Sequence, residues 1–249
     1  MRLLVSVADV TDARAARDGG ADIVDAKAPS RGALGAVRPP VLRSIHAAVH
    51  PHRPVSAALG DARDERDVAR AARAAAAVGL AFVKIGFGGV TSVARAHALA
   101  AAAVRGARDG NPGAGVILTA YADAVRVGAI LPAAVLELAA RAGAAGVLLD
   151  TALKDAGGLF AWLAPDAVGG WITRARDARL LAAVAGKLDA EGVVLARELG
   201  ADVAGVRGAA CVGGRSGRVS AALVRTLAAL AADHAEPAGP RPPSRHSYH

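Results

Sequence analysis

The sequence predicts an α/β protein, a TIM (β/α)8 barrel folded as a single domain, and three observations carry that expectation. Short β-rich apolar runs recur along the chain, each followed by a longer Ala/Leu-rich amphipathic stretch, which is the pattern of βα units building a parallel sheet. Eight such runs occur, and eight units close a barrel. The length of 249 residues is the usual size of that barrel.

In order, the predicted strands are Leu3 to Val7, Asp22 to Lys27, Val55 to Leu59, Ala81 to Ile85, Gly115 to Ala120, Gly146 to Asp150, Leu181 to Ala185 and Asp202 to Val206. Thr11 or Asp12 is expected to cap the first helix. Asp61 should open the third, Ser92 the fourth and Asp189 the seventh, with Pro132 as a first-turn proline. Gly19-Gly20, Gly79, Gly143 and Gly200 are placed to stop helices just ahead of the next strand. A final helix is expected from about Val219. The barrel should occupy residues 1–232. Residues 233–249 are Pro-rich and too poor in apolar side chains to pack, so they are expected to form a flexible tail without a catalytic role.

Composition narrows the class of function. No 18-residue uncharged apolar run is present, and Asp9, Asp12 and Arg14 interrupt the N-terminus too soon for a signal peptide, so a cytoplasmic protein without membrane partners is expected. Cys211 stands alone, which excludes an internal disulfide and a cysteine-rich zinc site. His46, His50 and His52 fall at a helix end beside prolines and read as a solvated surface group rather than a metal site. The net charge of +8 is dispersed over helix faces where Arg63, Arg66, Arg70 and Arg73 alternate with Asp61, Asp64 and Asp67. With only two Trp, two Tyr and three Phe there is little to stack on bases, so no nucleic-acid partner is expected.

The choice of cation is more informative. Of thirty basic residues only Lys27, Lys84, Lys154 and Lys187 are lysines. In an arginine-rich chain, a retained lysine marks a place where an amine must lose its proton, which a guanidinium does not do. All four fall at or just beyond the C-terminal ends of predicted strands, the rim where barrel active sites lie. Asp25 and Lys27 are two residues apart on one strand and share a face. Asp150 ends the sixth strand and faces Lys154 across a short loop. Ion pairs that merely brace the rim are the alternative, and for Lys187 the two readings balance. Ammonium groups converging on one cleft depress one another's pKa, and burial adds to this, so one amine can be neutral near pH 7. A neutral amine attacks a carbonyl, and the iminium so formed acidifies the neighbouring C–H. These are the steps of class I aldolase chemistry.

The last βα loop, Val206-Arg-Gly-Ala-Ala-Cys-Val-Gly-Gly-Arg-Ser-Gly-Arg218, is glycine-rich and flanked by arginine, as an anion site would be. Its candidate phosphate ligands are Arg207, Gly208, Gly213 and Gly214, completed by Gly186 and Lys187 from the preceding loop, with Asp25 as a further substrate contact. Cys211 within it reads as an apolar filler rather than a nucleophile.

Seven blocks carry a resemblance to a known family: Leu3-Leu-Val-Ser6, Gly19 to Pro29, Gly32-Ala-Leu-Gly35, Val83-Lys-Ile-Gly86, Tyr121 to Gly128, Leu149 to Asp155 and Gly205 to Cys211. In this order and over nearly all of the chain, they resemble the (5-formylfuran-3-yl)methyl phosphate synthases, or 4-(hydroxymethyl)-2-furancarboxaldehyde-phosphate synthases, of methanofuran biosynthesis. The resemblance implies a TIM-barrel lyase that joins two D-glyceraldehyde 3-phosphate molecules into the furan phosphate, releasing phosphate and water. It implies that Lys27 forms the Schiff base, that Lys84 accepts a proton, and that Asp150 and Lys154 line the same site. Lys187 departs from the family pattern. No metal or organic cofactor is implied, since the lysine iminium is the electron sink, and a homo-oligomer is expected. Another class I aldolase or a phosphosugar isomerase on the same barrel is the rival enzyme reading. A non-catalytic nucleic-acid-binding protein is the rival from another class.

Overall fold

A computed structural model describes residues 1–232, so the predicted tail at 233–249 lies outside the described residues. Eight parallel strands close in sequence order: β1 (Arg2–Val7), β2 (Ile23–Ala26), β3 (Val55–Asp61), β4 (Phe82–Gly86), β5 (Gly115–Tyr121), β6 (Gly146–Asp150), β7 (Leu181–Val184) and β8 (Val203–Val206). Closure is made by β1 against β8, with Arg2 opposite Val203 and Val5 opposite Val206. Around them run α1 (Val10–Asp18), α2 (Pro39–Val49), α3 (Glu65–Ala76), α4 (Val93–Gly110), α5 (Pro132–Ala142), the one-turn α6 (Leu159–Trp162), α7 (Pro165–Asp177), α8 (Ala190–Glu198) and α9 (Ala221–Ala232). Each predicted strand overlaps an observed one. Covered by helices outside and by one another inside, the strands are buried on both faces, which is why they read as continuous apolar runs.

Caps fix the helix starts and correct three expectations. Asp9, not Thr11 or Asp12, caps α1 by accepting from the Asp12 amide at 3.0 Å. Asp64, not Asp61, caps α3, because β3 runs on to Asp61, whose carboxylate instead accepts from the Gly88 amide and the Tyr121 hydroxyl, each at 2.8 Å. The last helix begins at Ala221 rather than Val219, since Val219 pairs with Cys211 in a small antiparallel hairpin of β9 (Cys211–Val212) and β10 (Arg218–Val219). Ser92, Pro132 and Asp189 stand where expected. Of the predicted helix stops, Gly20, Gly79, Gly143 and Gly200 have positive φ, while Gly19 keeps a right-handed conformation.

The main core lies between sheet and helices, with Leu3, Ile45, Leu80, Leu99, Leu138 and Leu149 fully buried. A second cluster, with Ile23, Ile117, Leu148 and Val203, fills the barrel interior below the rim. His46 is half-buried and stacks on exposed His50 at 4.9 Å, so the histidine group is less solvated than expected. No group of potential metal ligands occurs among the described residues. No helix among them is long and apolar enough to cross a membrane.

Candidate active site

A cavity of about 370 Å³ opens at the C-terminal ends of the strands and reaches down to an apolar floor that includes Leu4, Ile23, Ile117 and Leu148. This volume falls within the roughly 300–1,000 Å³ of ordinary small-molecule sites. Lys27, Lys84, Lys154 and Lys187 all line it.

Between that floor and the rim lies a buried polar layer. Strand register sets Ser6 on β1 and Ser56 on β3 directly beside Asp25 on β2. Both hydroxyls donate to the Asp25 carboxylate, Ser6 at 3.0 Å and Ser56 at 2.7 Å. Lys84 completes the group with an ion pair to Asp25 at 2.7 Å. Burial alone would raise the Asp25 carboxyl, but the ammonium charges of Lys84 and Lys27 outweigh it and hold the group below its ordinary range. Asp25, expected as a substrate contact, is fully enclosed and bears on Lys84 and Lys27 without lining the cavity.

On the opposite side, Lys154 donates to Asp150 at 2.7 Å and to the Thr151 hydroxyl at 3.2 Å. Burial pushes the Asp150 carboxyl up, yet Lys154 and Lys27 pull it down further, with the Lys154 and Thr151 amide hydrogen bonds adding to the pull. The loop that carries Lys154 is clamped by a residue sequence reasoning passed over. Buried Asp123, just beyond β5, accepts from the amides of Ala152 at 2.7 Å and Leu153 at 2.8 Å.

Lys27 differs from the other three lysines. Its side chain is 8% exposed, and its Nζ makes no hydrogen bond or ion pair among the described residues. Burial over the apolar floor lowers its pKa to about 8; Asp150 and Asp25 oppose the shift, and Lys84 and Lys154 reinforce it. An amine so placed is neutral in an appreciable fraction near neutrality and turns toward open space, as a nucleophile requires.

The expected phosphate ligands divide. Gly186, Lys187, Arg207 and Gly208 line the cavity, whereas Gly213 and Gly214 do not and are exposed, because the hairpin carries them outward. Arg207 is mostly committed to the protein: Nη1 donates to Asp12 at 2.7 Å and to the Ser6 carbonyl at 3.0 Å, Nη2 to Gly217, and Nε to Arg215. Arg215 lines the cavity as well, and its guanidinium holds only the Pro29 and Gly32 carbonyls. Spacing alone could not rank the three arginines of this loop, since the hairpin that orients them is not visible in it. Cys211 is buried, and burial raises its thiol pKa, which suits a filler.

A profile described as 4-HFC-P synthase matches residues 3–228. The chain belongs to the 4-HFC-P synthase family. It is 40% identical over 230 residues to a (5-formylfuran-3-yl)methyl phosphate synthase from Methanopyrus kandleri, covering 91% of this chain and 97% of that one. With the protein of the same name from Methanocaldococcus jannaschii, identity is 38% over 233 residues, or 92% and 99% of the two chains. Among solved structures, orotidine 5'-phosphate decarboxylase from Lactobacillus acidophilus superposes with a TM-score of 0.62 at 13% identity, covering 93% of this chain and 99% of that one; this likeness is one of fold. In this 4-HFC-P synthase family member, both lysine–carboxylate pairs and the unpaired Lys27 fall within the matched span.

Proposed function

We propose that this chain is a carbon–oxygen lyase that condenses two molecules of D-glyceraldehyde 3-phosphate into (5-formylfuran-3-yl)methyl phosphate through a Schiff base on Lys27, as a step of methanofuran biosynthesis. The observation that carries the reading is the pairing pattern: Lys84 is held by Asp25, Lys154 by Asp150, Lys187 by the Ala156 carbonyl, and Lys27 by nothing. The names of its relatives supply the product.

Neutral Lys27 adds to the aldehyde of one triose phosphate to give a carbinolamine. Expelling its hydroxyl as water needs a proton, and the Lys84 ammonium, which lines the same cavity, supplies it. Once neutral, Lys84 takes the proton from the carbon next to the iminium and regains its charge, which accounts for a proton-accepting role in a residue that rests as an ammonium against Asp25. The resulting enamine joins the carbonyl of the second triose. Loss of one phosphate, with Lys154 and Asp150 moving protons at the other wall, and loss of water then close the aromatic ring, with an oxygen replacing the Lys27 nitrogen on its carbon so that the C–N bond breaks and the amine is freed. The ring reaches its oxidation state by elimination alone, so no oxidant or reductant enters.

Incubation with glyceraldehyde 3-phosphate and sodium borohydride, followed by peptide mass spectrometry, tests the reading. A reduced three-carbon adduct on Lys27, together with a furan chromophore in the unreduced reaction, is expected. Furan formation undiminished in Lys27→Ala would overturn it.

A further inference from the structure

The Asp150–Lys154 pair owes its closure to the loop between its members. Three consecutive amides of that loop end on carboxylates: Thr151 on Asp150 at 2.7 Å, Ala152 on one oxygen of Asp123 at 2.7 Å, and Leu153 on its other oxygen at 2.8 Å. The Lys154 ammonium then turns back to Asp150 and the Thr151 hydroxyl. Asp150 and Lys154 line the cavity, whereas Asp123 does not.

Asp123 is 2% exposed, and its carboxylate forms no ion pair among the described residues. A carboxylate buried without a cation is costly unless hydrogen bonds stand in for solvent, and the two amides meet that need. They also require this residue type. Two oxygens accept from two successive N–H groups, whereas Asn in the same place would turn an NH2 donor toward one of them. Glu would carry both oxygens a methylene too far. The backbone around Asp123 is fixed as well. Tyr121 stands opposite Asp150 in the β5–β6 pairing, and the Ala122 amide donates to the Asp150 carbonyl at 2.8 Å. The strand end that carries Asp123 is thus tied to the strand end whose loop it holds. On its other side, the Asp123 carbonyl accepts from the Arg126 amide at 2.9 Å.

We propose that Asp123 is a positioning residue that sets the Asp150–Lys154 pair, and through it the loss of phosphate and water, while leaving imine formation at Lys27 untouched. This rests on the two-triose reading above. A loop released from Asp123 lets the Lys154 ammonium leave Asp150, and a misplacement of about 1 Å at a proton-transferring group costs about 100-fold in rate.

The test uses Asp123→Asn, with Asp123→Glu beside it so that the outcome does not hang on one variant folding. Three quantities are measured: the acetylation rate of each lysine by acetic anhydride, read by peptide mass spectrometry; borohydride trapping at Lys27; and furan formation, alone and in a Lys154→Met background. In Asp123→Asn, Lys154 should be acetylated about threefold faster or more, as its enclosed ammonium is freed, with Lys84 unchanged. Trapping should persist, and furan formation should fall about 10- to 100-fold. In Lys154→Met, adding Asp123→Asn should cost less than about threefold more, because the group it positions is already gone. Asp123→Glu should shift each quantity in the same direction by less. Unchanged Lys154 acetylation would overturn the proposal. So would loss of trapping, or a full additive loss in the Lys154→Met background, which is the mark of a general structural effect. If wild type fails to trap at Lys27, the imine reading falls, and the acetylation rates still decide whether Asp123 positions Lys154.

Discussion

At Lys27 two demands oppose each other. The fold buries an amine that would rather be charged, and the proposed chemistry needs it uncharged. Its pKa of about 8 in the folded chain lies below the ordinary 10.5, so between those values the unfolded chain holds more protons and stability rises with pH. Below pH 8 the whole penalty is present, on the order of 3 kcal/mol. Lys27→Met should therefore raise the melting temperature at pH 7 by several degrees while abolishing borohydride trapping, and the gain should shrink above about pH 10. A calorimetric melt at the two pH values checks this; an unchanged or lower melting temperature at pH 7 would contradict it. The lysines were legible as a group, because an arginine-rich chain exposes each retained lysine. Which of them is unpaired was not legible, because it depends on Asp25 and Asp150 reaching Lys84 and Lys154 across strands. For the same reason Arg207 and Arg215 could not be told apart.

Between elements, α3 and α4 pack closely. A Cβ added at Gly106 would lie 2.2 Å from the Ala69 carbonyl oxygen, and one at Gly110 the same distance from that of Arg73. Helix propensity alone predicts that Gly106→Ala stabilises, by up to about 1 kcal/mol. The packing predicts the reverse, a loss of roughly 1–3 kcal/mol as the helices are forced apart. Gly170 in α7 meets nothing within 4 Å, so there Gly170→Ala should stabilise by about 0.5–1 kcal/mol. Denaturant titration of the pair separates the two arguments. Arg207 ties β8 and its hairpin to α1 through a buried ion pair with Asp12, and Arg207→Met should cost about 3 kcal/mol, since that carboxylate keeps only the amides of Ala8 and Val219 and the more distant Arg218. The existence of every barrel strand was legible from its apolar run. Cap positions were not, since Asp9, Thr11 and Asp12, or Asp61 and Asp64, are equally good capping residues, and only the observed end of the preceding strand chooses among them.

For the whole molecule, barrel closure gathers onto one rim groups that are far apart in sequence, from Lys27 to Arg215. This was legible because the repeating βα pattern fixes which end of each strand carries the chemistry. The hairpin behind Arg215 and the clamp at Asp123 were not, because loops carry no period. With a net charge of +8, any salt should stabilise the fold by screening, but phosphate should raise the melting temperature by a few degrees more than sodium chloride of equal ionic strength, because it also occupies the cavity. Equal effects of the two salts would count against an anion-binding cavity. All four lysines of the chain border that cavity. Isotopic methylation of its amines would therefore give a spectrum of four side-chain signals, every one of them a reporter at the cavity, and ligand binding there could be followed without a single engineered label.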